Sequence, residues 1–168
     1  NGQGRTWHCW KRGGHGSVAV NDALVYSCDV FFYNVGLALG VDKIQEWSHR
    51  MGMGIETGID MPHETAGLIP GREWKEMLHK DKPAWDQKWY PGDTVNLSIG
   101  QGSAATTPLQ NAIMMACIVN GGYRVTPYMN RDGDHKRTEG FLSDATVKTV
   151  SAAMRMCVDK APPDFPSG

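Results

Sequence analysis

Ser27-Cys28-Asp29 sets a hydroxyl, a thiol and a carboxylate in consecutive positions between two apolar-periodic segments. A small hydroxyl beside an acid at a helix junction is a place where chemistry can sit, so Ser27 and Asp29 are candidate functional residues. The same residue types also cap helices, each cap being worth about 1 kcal/mol, and that reading stands beside the first. A second set is Cys9, His15 and Cys28, a Cys-x5-His-x12-Cys series. Thiolate and imidazole are the usual ligands of tetrahedral zinc, and Gly13, Gly14 and Gly16 around His15 supply the sharp turns such a knot needs. Structural zinc, ordinary packing of buried thiols and a Cys9–Cys28 disulfide are the three readings of this set. A nucleophilic Cys28 activated by His15, as in a Cys-His hydrolase, is a further one, opposed by the place of Cys28 on an apolar helix stripe.

The elements that must position these residues are mostly helical. Residues 1–20 hold five glycines and read as loop. A short helix follows, capped by Asn21 or Asp22, and ends before Ser27. Beyond it Cys28, Phe31, Phe32, Val35, Ala38 and Leu39 recur at steps of three and four, which predicts a helix burying that face. After Gly40, Asp42 with Gln45 reads as a capping box opening a helix through Ile44, Trp47 and Met51, which Gly52 ends. Residues 54–70 are turn-rich, 72–79 a short helix, and 80–92 an irregular excursion whose Trp85, Trp89 and Tyr90 either stack on a ligand or, the favoured reading, pin it to the body. Thr107-Pro108-Leu109-Gln110 combines a cap, a proline at the first helical position and a glutamine three residues after the cap, so a helix starts there firmly. Its body, residues 112–119, is apolar nearly all round, which predicts burial on several sides. Residues 123–126 suit a short strand. Ser143 or Asp144 caps a last helix with Val147, Val150, Met154 and either Cys157 or Val158 on one face.

With 168 residues, 40% of them hydrophobic, the chain can bury one core. A formal charge of −1 supplies no attraction for nucleic acid or an anionic membrane surface, so no nucleic-acid partner is expected. No stretch approaches the roughly 18 apolar residues of a membrane-spanning helix. Four cysteines at irregular spacing do not make a disulfide framework.

Gly100-Gln101-Gly102 followed by Thr106-Thr107-Pro108-Leu109-Gln110, taken with Ser27-Cys28-Asp29, resembles a penicillin-binding protein transpeptidase domain. In that family a Ser-x-Asn or Ser-x-Asp motif lies between two helices, and a Gly-Gln-Gly loop leads into a Thr-Pro-x-Gln helix. The resemblance extends through His15-Gly16-Ser17-Val18, Gly58-Ile59-Asp60, Ile69-Pro70-Gly71-Arg72-Glu73-Trp74-Lys75 and Tyr90-Pro91-Gly92-Asp93-Thr94, and weakens between Met129 and Glu139. It is nearest to the elongation-type, class B members of Gram-negative bacteria.

The resemblance implies a mainly α fragment of an α/β serine β-lactamase/transpeptidase-like domain. Such enzymes carry a nucleophile in Ser-x-x-Lys and a Lys-Thr-Gly or Lys-Ser-Gly strand. The sequence contains neither motif. Both are expected outside residues 1–168, with Pro166-Ser167-Gly168 as the approach to the second, and the chain alone is expected to be inactive. The parent would be a D,D-transpeptidase acting on peptidoglycan stem peptides and acylated by β-lactams. It would stand at the periplasmic face of the inner membrane with elongation-machinery membrane proteins as partners, its anchor outside this chain. Ser27 would relay a proton and Asp29 would position a lysine or the substrate amide. Asp29 stands where Asn is common and adds a charge. A non-catalytic, zinc-stapled scaffold or interaction module is the alternative function.

Overall fold

The computed structural model describes residues 6–133 and 135–160, the last by its backbone alone. The expected approach to a strand at Pro166-Ser167-Gly168 lies outside them. Among the described residues the regular structure is eight helices and two isolated antiparallel bridges, Leu68 with Ala105 and Val125 with Arg137. The helical expectation therefore holds, and the strand expected at 123–126 is reduced to a single bridge.

Helix α1 is Val20–Val25 and α2 is Asp29–Leu39. α1 starts earlier than expected: Ala19 stands at its N-cap without a side-chain bond, and Asp22 falls in the first turn. An acid there still faces the positive end of the helix dipole. The buried face of α2 also differs from the periodicity. Gly36 is its buried residue, while Val35 and Leu39 are 38% and 51% exposed. α2 packs on α6, Pro91–Leu97, where the absent side chain of Gly36 lets Ser98 close against the backbone. The smallest residue fixes this contact, and a count of apolar positions does not register it.

Helix α3, Val41–Arg50, begins after Gly40 without a side-chain cap, so the expected Asp42–Gln45 box is absent. Both residues are used elsewhere. Arg72 Nε lies 3.1 Å from Asp42 Oδ1, and Gln45 Nε2 donates to the Ile69 carbonyl at 2.9 Å. These bonds tie α3 to the start of α4, Arg72–Leu78. After α5, Ala84–Gln87, comes α6, which the sequence reading passed over. Its signals are Pro91 at the first helical position and Asp93, whose Oδ2 accepts from the Tyr90 amide at 2.8 Å and meets Lys75 Nζ at 2.5 Å. Of the aromatics of this excursion, Trp89 packs on the apolar cluster and its Nε1 donates to Thr94 Oγ1 at 2.8 Å, as expected, whereas Tyr90 Oη donates to the Trp85 carbonyl at 2.6 Å within the excursion itself and the Trp85 side chain is exposed.

Helix α7 is Pro108–Val119 and α8 is Asp144–Lys160. Ser143 caps α8, accepting from the Thr146 amide at 3.2 Å. α8 packs on α1 and α7; Cys157 Sγ points at the Leu24 carbonyl, 3.5 Å away, while Val158 is 81% exposed. Cys157 thus completes the inward face. α7 is not buried all round, because Ile113, Cys117 and Ile118 are buried while Met115 and Val119 are 41% and 67% exposed. One apolar cluster joins Val41, Ile69 and Leu97, with Ile44, Met53, Trp89 and Ala104 packed against it.

The capping box of α7 forms as expected, Gln110 N donating to Thr107 Oγ1 at 3.2 Å. Its glutamine does much more than close the box. Gln110 is fully buried; Oε1 accepts from the amides of Thr107 at 3.2 Å and Gly54 at 3.4 Å, and Nε2 donates to the carbonyls of Ile55 at 2.7 Å and Ala66 at 2.8 Å. Both donors and both lone pairs of the amide are used. Gly67, at φ +65°, passes so close that a Cβ there would lie 2.6 Å from the Ala105 carbonyl oxygen and 2.9 Å from Gln110 Oε1. Next to it the Leu68 amide donates to the Ala105 carbonyl at 2.6 Å, and the Ala105 amide returns a bond at 2.8 Å.

Gln110→Leu keeps the volume and strands four backbone groups. Since each buried unsatisfied group costs about 1–3 kcal/mol and partial relaxation recovers some of it, the variant should lose about 3 kcal/mol of stability, read from the urea midpoint. A loss below about 1 kcal/mol would show that these loops hold without the amide.

Candidate functional site

Ser27 lies in the turn that carries the chain from α1 to α2. Its amide donates to the Leu24 carbonyl at 3.3 Å, and the Cys28 amide donates to the Ala23 carbonyl at 2.9 Å, so the last turn of α1 is closed by these two residues. The turn needs a left-handed residue, and Ser27 supplies it at φ +49°. For a residue with a Cβ this conformation costs about 1 kcal/mol or more. Cys28, not Ser27, occupies the N-cap position of α2, without a side-chain bond. Ser27 is exposed, and its hydroxyl enters no hydrogen bond among the described residues. The geometry removes the helix-cap reading of Ser27 and leaves its hydroxyl available to a ligand.

Asp29 opens α2, where the helix dipole favours a carboxylate. Its Oδ2 accepts from the Trp10 amide at 2.9 Å. Trp10 Nε1 in turn donates to the carbonyls of Tyr26 at 3.1 Å and Ser27 at 3.0 Å. The glycine-rich loop is thereby clamped over the α1–α2 junction by one residue that engages Tyr26, Ser27 and Asp29 together. The rings extend the clamp: Trp10 meets His15 edge-on at 5.4 Å between centroids, His15 stacks on Tyr26 at 5.8 Å, and Trp7 meets Tyr33 at 5.9 Å. Burial, then the charges of Asp29 and Cys9, push the Tyr33 hydroxyl up from its ordinary value. Trp10 is the functional neighbour that sequence reasoning missed. Its type and its place beside Cys9 were visible, but its three partners lie 16 to 19 residues away.

Cys9, His15 and Cys28 come together. Cys9 Sγ is 3.4 Å from His15 Nδ1, and the three ligand atoms all lie within 4.8 Å of one another. A tetrahedral zinc with bonds of about 2.0–2.3 Å holds its ligand atoms roughly 3.5–3.8 Å apart; the donor types suit that ion and the Cys9–His15 separation matches it, while a set spread over as much as 4.8 Å would draw in by about 1 Å. Cys28 is 4% exposed, and burial, reinforced by the neighbouring Cys9, pushes its thiol up from the ordinary value. A thiol held neutral in this way is a poor nucleophile, and Cys9 rather than Cys28 is bonded to His15. Both facts oppose the Cys-His hydrolase reading.

The Gly100-Gln101-Gly102 loop borders a cavity of about 240 Å³ together with Lys75, His79 and Asp93. α6 leads directly into this loop, the Gln101 amide donating to the Asn96 carbonyl at 2.9 Å, and the same helix packs on α2. The Ser27 helix and the Gly-Gln-Gly loop are thus joined through the Gly36–Ser98 contact.

The model of the penicillin binding protein transpeptidase domain matches residues 1–162. Peptidoglycan D,D-transpeptidase MrdA of Acinetobacter baumannii is 38% identical over 130 residues, 77% of this chain and 18% of that protein. MrdA of Escherichia coli K12 is 38% identical over 128 residues, 76% of this chain and 19% of that protein. The chain spans about a fifth of the length of these relatives. Among solved structures, Pseudomonas aeruginosa PBP2 in complex with WCK 5153 superposes with a TM-score of 0.84 at 31% identity, covering 95% of this chain and 37% of that one. The complex between PBP2 and MreC from Helicobacter pylori gives 0.75 at 30% identity, covering 92% and 28%.

Trp10→Phe keeps the ring and removes the Nε1–H that holds the Tyr26 and Ser27 carbonyls. Losing about 1 kcal/mol of local closure should speed amide exchange across residues 26–28 about fivefold, measured by hydrogen–deuterium exchange. Unchanged exchange there would show that the clamp does not fix the Ser27 turn.

Proposed function

Because the chain belongs to the penicillin-binding protein transpeptidase domain family, matched over residues 1–162, we propose that it is the helical part of a peptidoglycan D,D-transpeptidase. That match, together with an exposed Ser27 at the junction of two helices, carries the reading. The reaction is acyl transfer by a serine in a Ser-x-x-Lys motif. The serine attacks the penultimate D-alanine carbonyl of a stem peptide and expels the terminal D-alanine. An amine of a neighbouring stem then takes the acyl group. β-Lactams acylate the same serine.

Ser27 acts as the proton relay toward the leaving nitrogen, its hydroxyl, without a bond among the described residues, able to accept and donate together. Asp29 is a positioning residue that acts through the Trp10 clamp, which supports the turn on which Ser27 sits. The setting is the periplasmic face of the inner membrane. Partners are of the elongation machinery, of the kind seen in the Helicobacter pylori complex with MreC.

The 168 residues contain no Ser-x-x-Lys, so incubation with excess penicillin should leave the intact mass of this chain unchanged. Joined to a Ser-x-x-Lys segment before it and a Lys-Thr-Gly strand after it, the chain should be acylated. In that longer protein Ser27→Ala should slow acylation roughly 100- to 10,000-fold. Acylation of the variant at the parental rate would sink the relay, and covalent labelling of the 168-residue chain at a serine would sink the placement of the nucleophile.

Cys9, His15 and Cys28 are the residues that would hold a structural zinc, a proposal supported by ligand atoms within 4.8 Å of one another. Three protein ligands leave the fourth tetrahedral position to a further donor. The metal would join the glycine-rich loop to the start of α2. Protein purified without chelators should carry close to one zinc per chain by elemental analysis, and Cys9→Ser or His15→Ala should remove most of it. Metal-free protein that keeps the same fold would favour simple packing of the thiols.

A further inference from the structure

Cys9 and Cys28 are both free thiols, and their sulfur atoms lie within 4.8 Å. A disulfide brings sulfurs to about 2 Å and Cβ atoms to about 3.8 Å, so the gap to close is about 3 Å at most. The two sulfurs are unequal in reach. Cys28 is fixed at the start of α2 and is 4% exposed, whereas Cys9 is half-buried in a loop that carries Gly13, Gly14 and Gly16. The loop can supply the movement that the helix cannot. Cys9 Sγ also has His15 Nδ1 at 3.4 Å, which accepts its proton in the tautomer that carries its hydrogen on Nε2, while Cys117 is buried elsewhere and Cys157 Sγ faces the Leu24 carbonyl.

We propose that Cys9 and Cys28 form an oxidative modification site that takes up a small-molecule disulfide as oxidant and closes to an intramolecular disulfide. The inference goes beyond the zinc reading and does not depend on it. Cys9 loses its proton to His15 and attacks one sulfur of the oxidant. A bond forms between Cys9 and that sulfur, the oxidant's own S–S bond breaks, and the first thiolate leaves with the proton from His15. Cys28 then passes its proton to His15, neutral again and within 4.8 Å, and attacks Cys9 Sγ, expelling the second thiolate, which takes up that proton. Two protein thiols are oxidised and one external disulfide is reduced to two thiols. The product ties the loop covalently to the residue next to Ser27. It also consumes both sulfur ligands, so disulfide and metal exclude each other.

Trypsin separates the four cysteines completely, because cleavage after Arg5, Lys11, Arg12, Lys43, Lys88, Arg124, Arg155 and Lys160 places each one in a different peptide. The full chain is treated with chelator, incubated with oxidised glutathione, alkylated and digested without reductant. Most of the protein should lose the mass of two hydrogens and yield peptides 6–11 and 13–43 joined, which reduction separates. A stable glutathione adduct on Cys9 with Cys28 still alkylatable would overturn the proposal, as would linkage through Cys117 or Cys157. In Cys9→Ser, Cys28 should resist glutathione; prompt addition to it would refute the order of attack. A parallel sample holding equimolar zinc should close at least about tenfold more slowly. Equal rates with and without zinc, with the Cys9–Cys28 link formed in both, uphold the disulfide and count against the metal reading alone.

Discussion

A single buried amide holds the loops of this protein in register with its helices. Gln110 is anchored to α7 by its own backbone, and its side chain reaches Gly54, Ile55 and Ala66 on segments more than 40 residues away. In a low-dielectric interior each of these bonds is strengthened and each vacancy is costly, so displacing one loop strains the geometry of the others. The Leu68–Ala105 bridge adds a second tie beside it. Gly67 is required at this crossing because nothing larger clears both Ala105 and the amide. The segment leading out of the Gly-Gln-Gly loop inherits its position from these bonds, although it has no regular structure of its own.

A local signal in the sequence located the start of an element where its chemistry was complete on the spot, as at α7 and α8. Thr107, Pro108 and Gln110 spell out a helix start whose chemistry is complete within four residues, and the structure contains it. The longer reach of Gln110 could not be read, because a capping glutamine and a core glutamine have the same letter and only the tertiary partners distinguish them. Asp42 and Gln45 show the converse: a pattern that satisfies the capping rule is diverted to Arg72 and the Ile69 carbonyl, which offer bonds from another segment. The face of α2 was misread for a related reason, since hydrophobic periodicity has no weight for a glycine that admits a neighbouring backbone. The Cys9, His15 and Cys28 grouping was legible because glycines announce the turns that bring them together. The clamp by Trp10 was not, as it depends on where two backbone carbonyls end up.

Two carboxylates in this molecule do double duty, one half-buried and one exposed. Asp93 closes the start of α6 and also meets Lys75, whose ammonium lies 5.3 Å from the centre of the Tyr90 ring. Side chains of this pair are 14% and 32% exposed, which makes the contact less screened than the surface pairs Arg72–Asp42 and Arg155–Asp159. Asp60 shows the same economy on a loop: its carboxylate accepts from the Met129 and Asn130 amides, which hold it below the ordinary value of 3.8. These carboxylates organise backbone, which is a more dependable use of a partly exposed charge than pairing alone.

The left-handed backbone of Ser27 has a consequence for how this protein would respond to selection. Glycine fits such a turn with less strain, so a laboratory search for heat tolerance alone would favour trading the hydroxyl away. On the proton-relay role proposed for Ser27, a search that also demanded acyl transfer of the longer protein would have to leave the strained residue in place and gather its gains elsewhere. Under that proposal the turn between α1 and α2 is where pressure for robustness and pressure for chemistry pull in opposite directions, and variants recovered under each regime would part company there first.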